Sequence, residues 1–155
     1  IILKGALAVS LLFVGVFSSS MTIARECVSD YELYSKAQVD AAEYIEKNTA
    51  EKAVFLTGDN HNNAVAALTG RSIVCGADTF LYYHGINTAE RKNEVANMYA
   101  DPVGNKELYK KYNVSYIFVS DVETGEFQIN FEGLGQIAEK VYDAQNVVIY
   151  KCNEL

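Results

Sequence analysis

The sequence is short of the features that announce a nucleic-acid or cofactor protein. It has 13 Lys and Arg against 20 Asp and Glu, a formal net charge of −7, and no cluster of basic residues to offset the acid. Phosphate binding needs a basic surface, so nucleic acid is excluded as a partner. Neither GxGxxG nor GxxxxGK[ST] occurs, which removes the glycine-rich phosphate cradles. A serine hydrolase would need G-x-S-x-G and a zinc protease H-E-x-x-H; neither is present, and there are only two histidines. The three cysteines, Cys27, Cys75 and Cys152, are odd in number and form no C-x-x-C pair, so no metal and no cofactor are expected. Cys27 and Cys152 pair if the compartment is oxidising; otherwise all three are ordinary buried thiols. There is no internal repeat and no low-complexity linker.

What is present divides at about residue 24. From Gly5 to Ala24, "GALAVSLLFVGVFSSSMTIA" carries no charge, and twenty helical residues cover roughly 30 Å, one hydrocarbon core. Residues 1–24 are read as a membrane-spanning helix that meets the bilayer through residues 5–24, either the last span of a larger protein or a signal anchor. Ser18 to Ser20 and Thr22 come late in it, so a cleaved signal peptide with Lys4 as its n-region is the other reading. Lys4 ahead of the segment and an acidic region behind it favour a cytoplasmic start, which places residues 25–155 as a soluble domain on the extracytoplasmic side of the cell membrane. Ile1 stands where a translated chain begins with methionine, the expectation for a piece of something longer, although processing accounts for it equally.

Beyond the apolar segment, Ser29 and Glu32 have capping-box spacing with Val28 and Leu33 as staple, ahead of a helix over about Tyr31 to Asn48. "KAVFLTG" reads as a strand buried on both faces. Asn60 is placed to cap a helix from His61 to Leu68, Gly70 to end it, and "SIVCG" to resume as a parallel strand in a right-handed βαβ unit. "NTAERKNEVANMYA", capped by Asn87 or Thr88, and "NKELYKKYN" are helices, and "VSYIFVSD" is the clearest strand. "EKVYDAQNVVIYKC" predicts a terminal hairpin about a four-residue polar turn. The fold expected is α/β, a small three-layer-like domain with a mixed, partly parallel sheet and a C-terminal β-hairpin.

Asp59, Asn60, His61, Asn62 and Asn63 follow a strand end and open a helix, the place where α/β sheets bind ligands. With Arg71, able to hold a carboxylate or phosphate bidentately, they are the candidate ligand-binding set. The bland reading is that they cap and turn the chain, with Arg71 ion-paired to Asp78 or Glu90. Asp59 and Asp78 are carboxylates of the kind glycoside hydrolysis pairs, at a separation the sequence leaves open. Tyr82, Tyr83 and His84, with Arg91 joining the same face, form an aromatic patch read as an interaction surface.

Taken in order, "AAEYIEKN", "VFLTGDNHNNAVAALTGR", "YYHG", an "ER" pair, "MYAD", "LYKKYNVSYIFVS" and "EKVYDAQNVVIYK" cover nearly the whole chain. Together they resemble the soluble C-terminal region of bacterial and archaeal membrane glycosyltransferases of the GT-C class, including uncharacterised multi-span relatives. The resemblance implies a parent that transfers a sugar from a polyprenyl-phosphate carrier to an acceptor at the outer face of the membrane. Its catalytic carboxylate would lie in an early external loop, outside this sequence. The chain itself would be non-catalytic, packing on the membrane domain of the same polypeptide and contributing to acceptor recognition, with a glycan or lipid-linked sugar as ligand. The alternative is a membrane-anchored or secreted module that binds a small sugar or phosphate.

Overall fold

A computed structural model describes residues 2–153. The chain divides into two compact units, residues 1–33 and 34–155. In the first, helix α1, Ile2–Cys27, contains a stretch, Leu3–Cys27, with an 18-residue window of mean hydropathy 2.0, long and apolar enough to cross a membrane by length and composition. Two of the hydroxyls that interrupt its apolar surface bond within the helix. Ser19 Oγ donates to the Gly15 carbonyl at 3.1 Å and Thr22 Oγ1 to that of Ser18 at 3.2 Å. Polar groups satisfied in this way are tolerated in hydrocarbon.

The second unit begins with α2, Lys36–Asn48, five residues later than the sequence pattern predicts. Two capping boxes compete, Ser29 with Glu32 and Ser35 with Gln38. In the second, Ser35 Oγ accepts from Gln38 N at 3.3 Å and Gln38 Oε1 from Ser35 N at 3.1 Å. It prevails because the helix it opens buries Ala41, Ala42 and Ile45, while Leu33, the staple of the first, stays exposed. The chain continues through β1 (Val54–Leu56), α3 (Ala64–Thr69), β2 (Ser72–Ile73), α4 (Asp78–Tyr83), α5 (Ala89–Ala100), α6 (Lys106–Lys111), β3 (Val114–Val119), α7 (Asp121–Glu126), α8 (Phe131–Ile137), β4 (Ala138–Ala144) and β5 (Val147–Cys152).

The strands form one five-stranded mixed sheet in the order β2-β1-β3-β5-β4. β1 runs parallel to β2 and β3; β5 runs antiparallel to β3 and β4. Alternate residues feed two hydrophobic clusters. Phe55, Phe118, Val147 and Ile149 pack with Ala41, Ile45 and Val65 of α2 and α3. Leu56, Ile117, Val119 and Tyr150 pack with Val95, Met98, Tyr99, Tyr109, Leu134 and Ile137 of α5, α6 and α8. The period-2 pattern of a two-faced buried sheet is therefore met strand by strand.

Two turns differ from expectation. The cap of α3 is Asn63, not Asn60, which shortens that helix by three residues at its start; Gly70, at φ 66°, ends it as the sequence predicts. The hairpin turn is two residues, Gln145 and Asn146, both left-handed at φ 52° and 68°. That primed geometry matches the strand twist, so pairing extends to Ala144 and Val147.

Candidate functional site

β2 and β3 lie on opposite sides of β1, so the chain switches direction between β1 and β3, and the crevice at their C-terminal ends is where open α/β sheets take ligands. The floor of that crevice is built from a buried phenol and a buried carboxylate. The Tyr99 hydroxyl stands 2.7 Å from the Phe118 carbonyl and 3.1 Å from that of Leu56, serving the ends of both strands. Burial raises this phenol well above its ordinary value, so it stays a neutral donor. Glu123, 2% exposed, ties the loop after β1 to the loop after β3. Its Oε1 accepts from Gly58 N at 3.1 Å and its Oε2 from Ser120 N at 2.9 Å and Ser120 Oγ at 2.5 Å. With Ser120 as N-cap, this is the capping box of α7, doubled as a bridge between loops.

Above this floor lies a hollow of about 230 Å³ lined by Asp59, Cys75, Lys92, Glu126 and Phe127 among others. Asp59 follows β1 and Glu126 ends α7, while Lys92 comes from the first turn of α5. Lys92 Nζ is 2.8 Å from Asp59 Oδ2, and that bond holds the ammonium above its ordinary range. Glu126 is an exposed residue, yet its Oε2 lies 3.1 Å from where a Cβ on Gly58 would stand. Burial of that carboxyl, and then the Asp59 carboxylate beside it, raise the Glu126 value. Cys75 in the wall is likewise raised, first by burial. A carboxylate pair with one ammonium offers acceptors and a donor to hydroxyl groups and repels an anion. A larger hollow, about 630 Å³, lies at the opposite end of the strands, where β1 and β3 begin, beside Lys52, Asn113 and Tyr116; Lys110 in its wall pairs with Glu107 at 3.1 Å, and its lining holds no Asp or Glu.

Of the residues singled out from the sequence, Asp59 is the one that the structure brings into the crevice with partners. Asn63 is occupied as a cap: its Oδ1 accepts from Ala66 N at 3.1 Å, and its Nδ2 donates to Thr57 Oγ1 at 2.8 Å and to the Gly58 carbonyl at 3.0 Å. Asn60 and Asn62 are half-buried and His61 is exposed, its ring edge-on to Phe80 at 6.0 Å. Arg71 forms no ion pair with Asp78 or Glu90. It closes the C-terminus of α2 instead, donating to Thr49 Oγ1 and to the Thr49, Thr69 and Glu46 carbonyls. Asp78 is held by the Thr88 hydroxyl. Tyr82, Tyr83 and His84 are exposed at the end of α4, whereas Arg91 donates to the Val74 carbonyl and lies over the Tyr112 ring. Among the described residues no group of three or more His, Cys, Asp and Glu is arranged to hold a metal ion. Cys27, Cys75 and Cys152 are free thiols.

Sequence reasoning missed Lys92, Glu126 and Glu123. A signal for Glu123 was there, since "SDVE" is a capping box. Lys92 and Glu126 lie 33 and 67 positions beyond Asp59, and only the fold joins them.

No protein-family model matches the chain, and no curated protein matches it. Among solved structures it is similar to the crystal structure of the C-terminal globular domain of oligosaccharyltransferase from Archaeoglobus fulgidus. The TM-score is 0.51 at 11% identity, over 77% of this chain and 99% of that one. At that identity the likeness is one of fold.

Proposed function

We propose that the chain is the accessory globular domain of a membrane glycosyltransferase-like protein, together with the membrane helix that precedes it. The observation that carries this reading is the shared fold: almost the full length of an oligosaccharyltransferase C-terminal domain superposes on a chain that also holds a 25-residue apolar helix. In this reading residues 25–155 lie on the extracytoplasmic side, pack on the membrane domain of the same polypeptide and contribute to acceptor recognition through the crevice at Asp59. The native reading frame upstream of Ile1 tests it. Several hundred further residues with many apolar spans are expected; a frame that opens a few residues before Ile1 would overturn the reading. Fusing alkaline phosphatase to the C-terminus tests the side: an active enzyme is expected, an inactive one argues for a cytoplasmic domain.

The hollow supports a second reading, a small-molecule binding module. At about 230 Å³ it is smaller than the roughly 300–1,000 Å³ of drug-sized sites, and its two carboxylates favour a neutral polyhydroxyl ligand over a phosphate. A ligand at a hundred times its dissociation constant adds about 2.7 kcal/mol, so neutral sugars are expected to raise Tm and sugar phosphates to leave it unchanged. No shift with any sugar removes this reading.

A further inference from the structure

The segment from Asp78 to Asn87 is well made, yet it buries almost nothing. None of the residues of α4 is buried, and Phe80, Tyr82, Tyr83 and Ile86 are 58%, 72%, 81% and 51% exposed. Its ends are fixed all the same. Gly85, at φ 73°, closes the helix as a Schellman cap, with Ile86 N donating to the Leu81 carbonyl at 3.0 Å and Gly85 N to that of Tyr82 at 2.9 Å. The Thr88 hydroxyl bonds Asp78 and so ties the end of the segment to its start. Tyr82 and Tyr83 stand edge to face at 5.7 Å. Folding therefore fixes a backbone that leaves four large side chains mostly in water, with the His61 ring against Phe80 as one of their few contacts, the mark of a contact surface.

We propose that this aromatic ridge lies in the headgroup zone of the lipid bilayer; the proposal rests on the reading of α1 as a membrane span. Two observations select lipid as the occupant. Only residues 28–35 separate α1 from α2, and at about 3.3–3.6 Å per residue they reach roughly 30 Å when extended. A domain on so short a leash meets the bilayer at high effective concentration. The composition also fits: Tyr82 and Tyr83 carry amphipathic rings of the kind that gather at membrane interfaces, and Phe80 and Ile86 beside them supply apolar surface. Residues 78–87 contain no Lys or Arg, so the contact is apolar and aromatic rather than an electrostatic grip on anionic lipid. α4 follows directly on Cys75, which lines the crevice.

The chain has no tryptophan, which makes the test clean. Full-length variants carrying Phe13→Trp in α1, Tyr83→Trp on the ridge, or Lys110→Trp beside the hollow at the opposite end of the strands are each reconstituted in phosphatidylcholine vesicles. The vesicles are prepared without brominated lipid, with lipid brominated near the headgroup, and with lipid brominated deep in the acyl chain. Phe13→Trp, near the middle of α1, reports insertion of the span through the deep bromine, and Tyr83→Trp and Lys110→Trp are compared with the headgroup bromine. Quenching of Tyr83→Trp several-fold above that of Lys110→Trp, unchanged by added salt, is the expected result. If Phe13→Trp is quenched and Tyr83→Trp is quenched no more than Lys110→Trp, the ridge faces water or protein and the proposal is overturned while the span stands. If Phe13→Trp is not quenched, the span fails and the proposal with it.

Discussion

Tyr99 shows how much one atom can settle. Near the ends of β1 and β3, one phenol reaches both the Leu56 and the Phe118 carbonyl. Tyr99→Phe keeps the ring and its stack on Phe127 but removes that donor from a buried site, so it is expected to cost about 1–3 kcal/mol in denaturant unfolding. Glu126 predicts a pH effect. Its value is raised above the ordinary 4.5 by burial first and Asp59 second, so the folded chain holds that proton more tightly than the unfolded one. Its contribution is whole below about 4.5 and is lost as pH rises through the folded value. Glu126→Gln should therefore lose less Tm than the parent as pH climbs from 4.5 towards neutrality; an identical pH profile would place that carboxyl in free solvent. At this scale the sequence marked residue types better than roles. Asn63 and Arg71 carry chemistry that a ligand would use, and the backbone claimed it first.

Elements were legible where a local pattern coincided with burial. The strands "VFL" and "VSYIFV", α5, α6 and the closing hairpin can be read from periodicity because two clusters await their alternate residues. The start of α2 was ambiguous, since Ser29 and Ser35 each head a valid box and only Ala41 and Ile45, packed on the sheet, decide between them. Ser35→Ala is accordingly expected to cost about 1 kcal/mol and Ser29→Ala almost nothing, a comparison that thermal melts of the two variants would make directly. The hairpin offers the reverse change. Asn146 sits at φ 68°, where glycine carries no steric penalty, and Asn146→Gly should raise stability by up to about 1 kcal/mol. α4 had no such signature, because its apolar residues serve no core.

At the level of the whole molecule, an α/β fold with a mixed sheet follows from the order of strand and helix patterns, whereas the crevice does not. Asp59, Lys92 and Glu126 come from three segments that meet only once β1 and β3 are neighbours and α5 has crossed the sheet face. No spacing in the sequence encodes that meeting, and so the ion pair and the carboxylate beside it were invisible in advance. The salt link itself is partly solvated, with Lys92 41% exposed. Lys92→Met is expected to change Tm little while altering how the crevice discriminates neutral from anionic sugars, measured by thermal shift with each.

The position of β5 has a consequence in time. It follows every other strand described, yet it lies inside the sheet between β3 and β4. On the ribosome the apolar α1 emerges ahead of the domain, while most of that domain is still unmade. β3 then waits for its second neighbour until some thirty further residues have been synthesised. The half-built sheet exposes an unpaired edge throughout that interval, so a tethered chain arrested before Val147 should be the species that chaperones and proteases recognise.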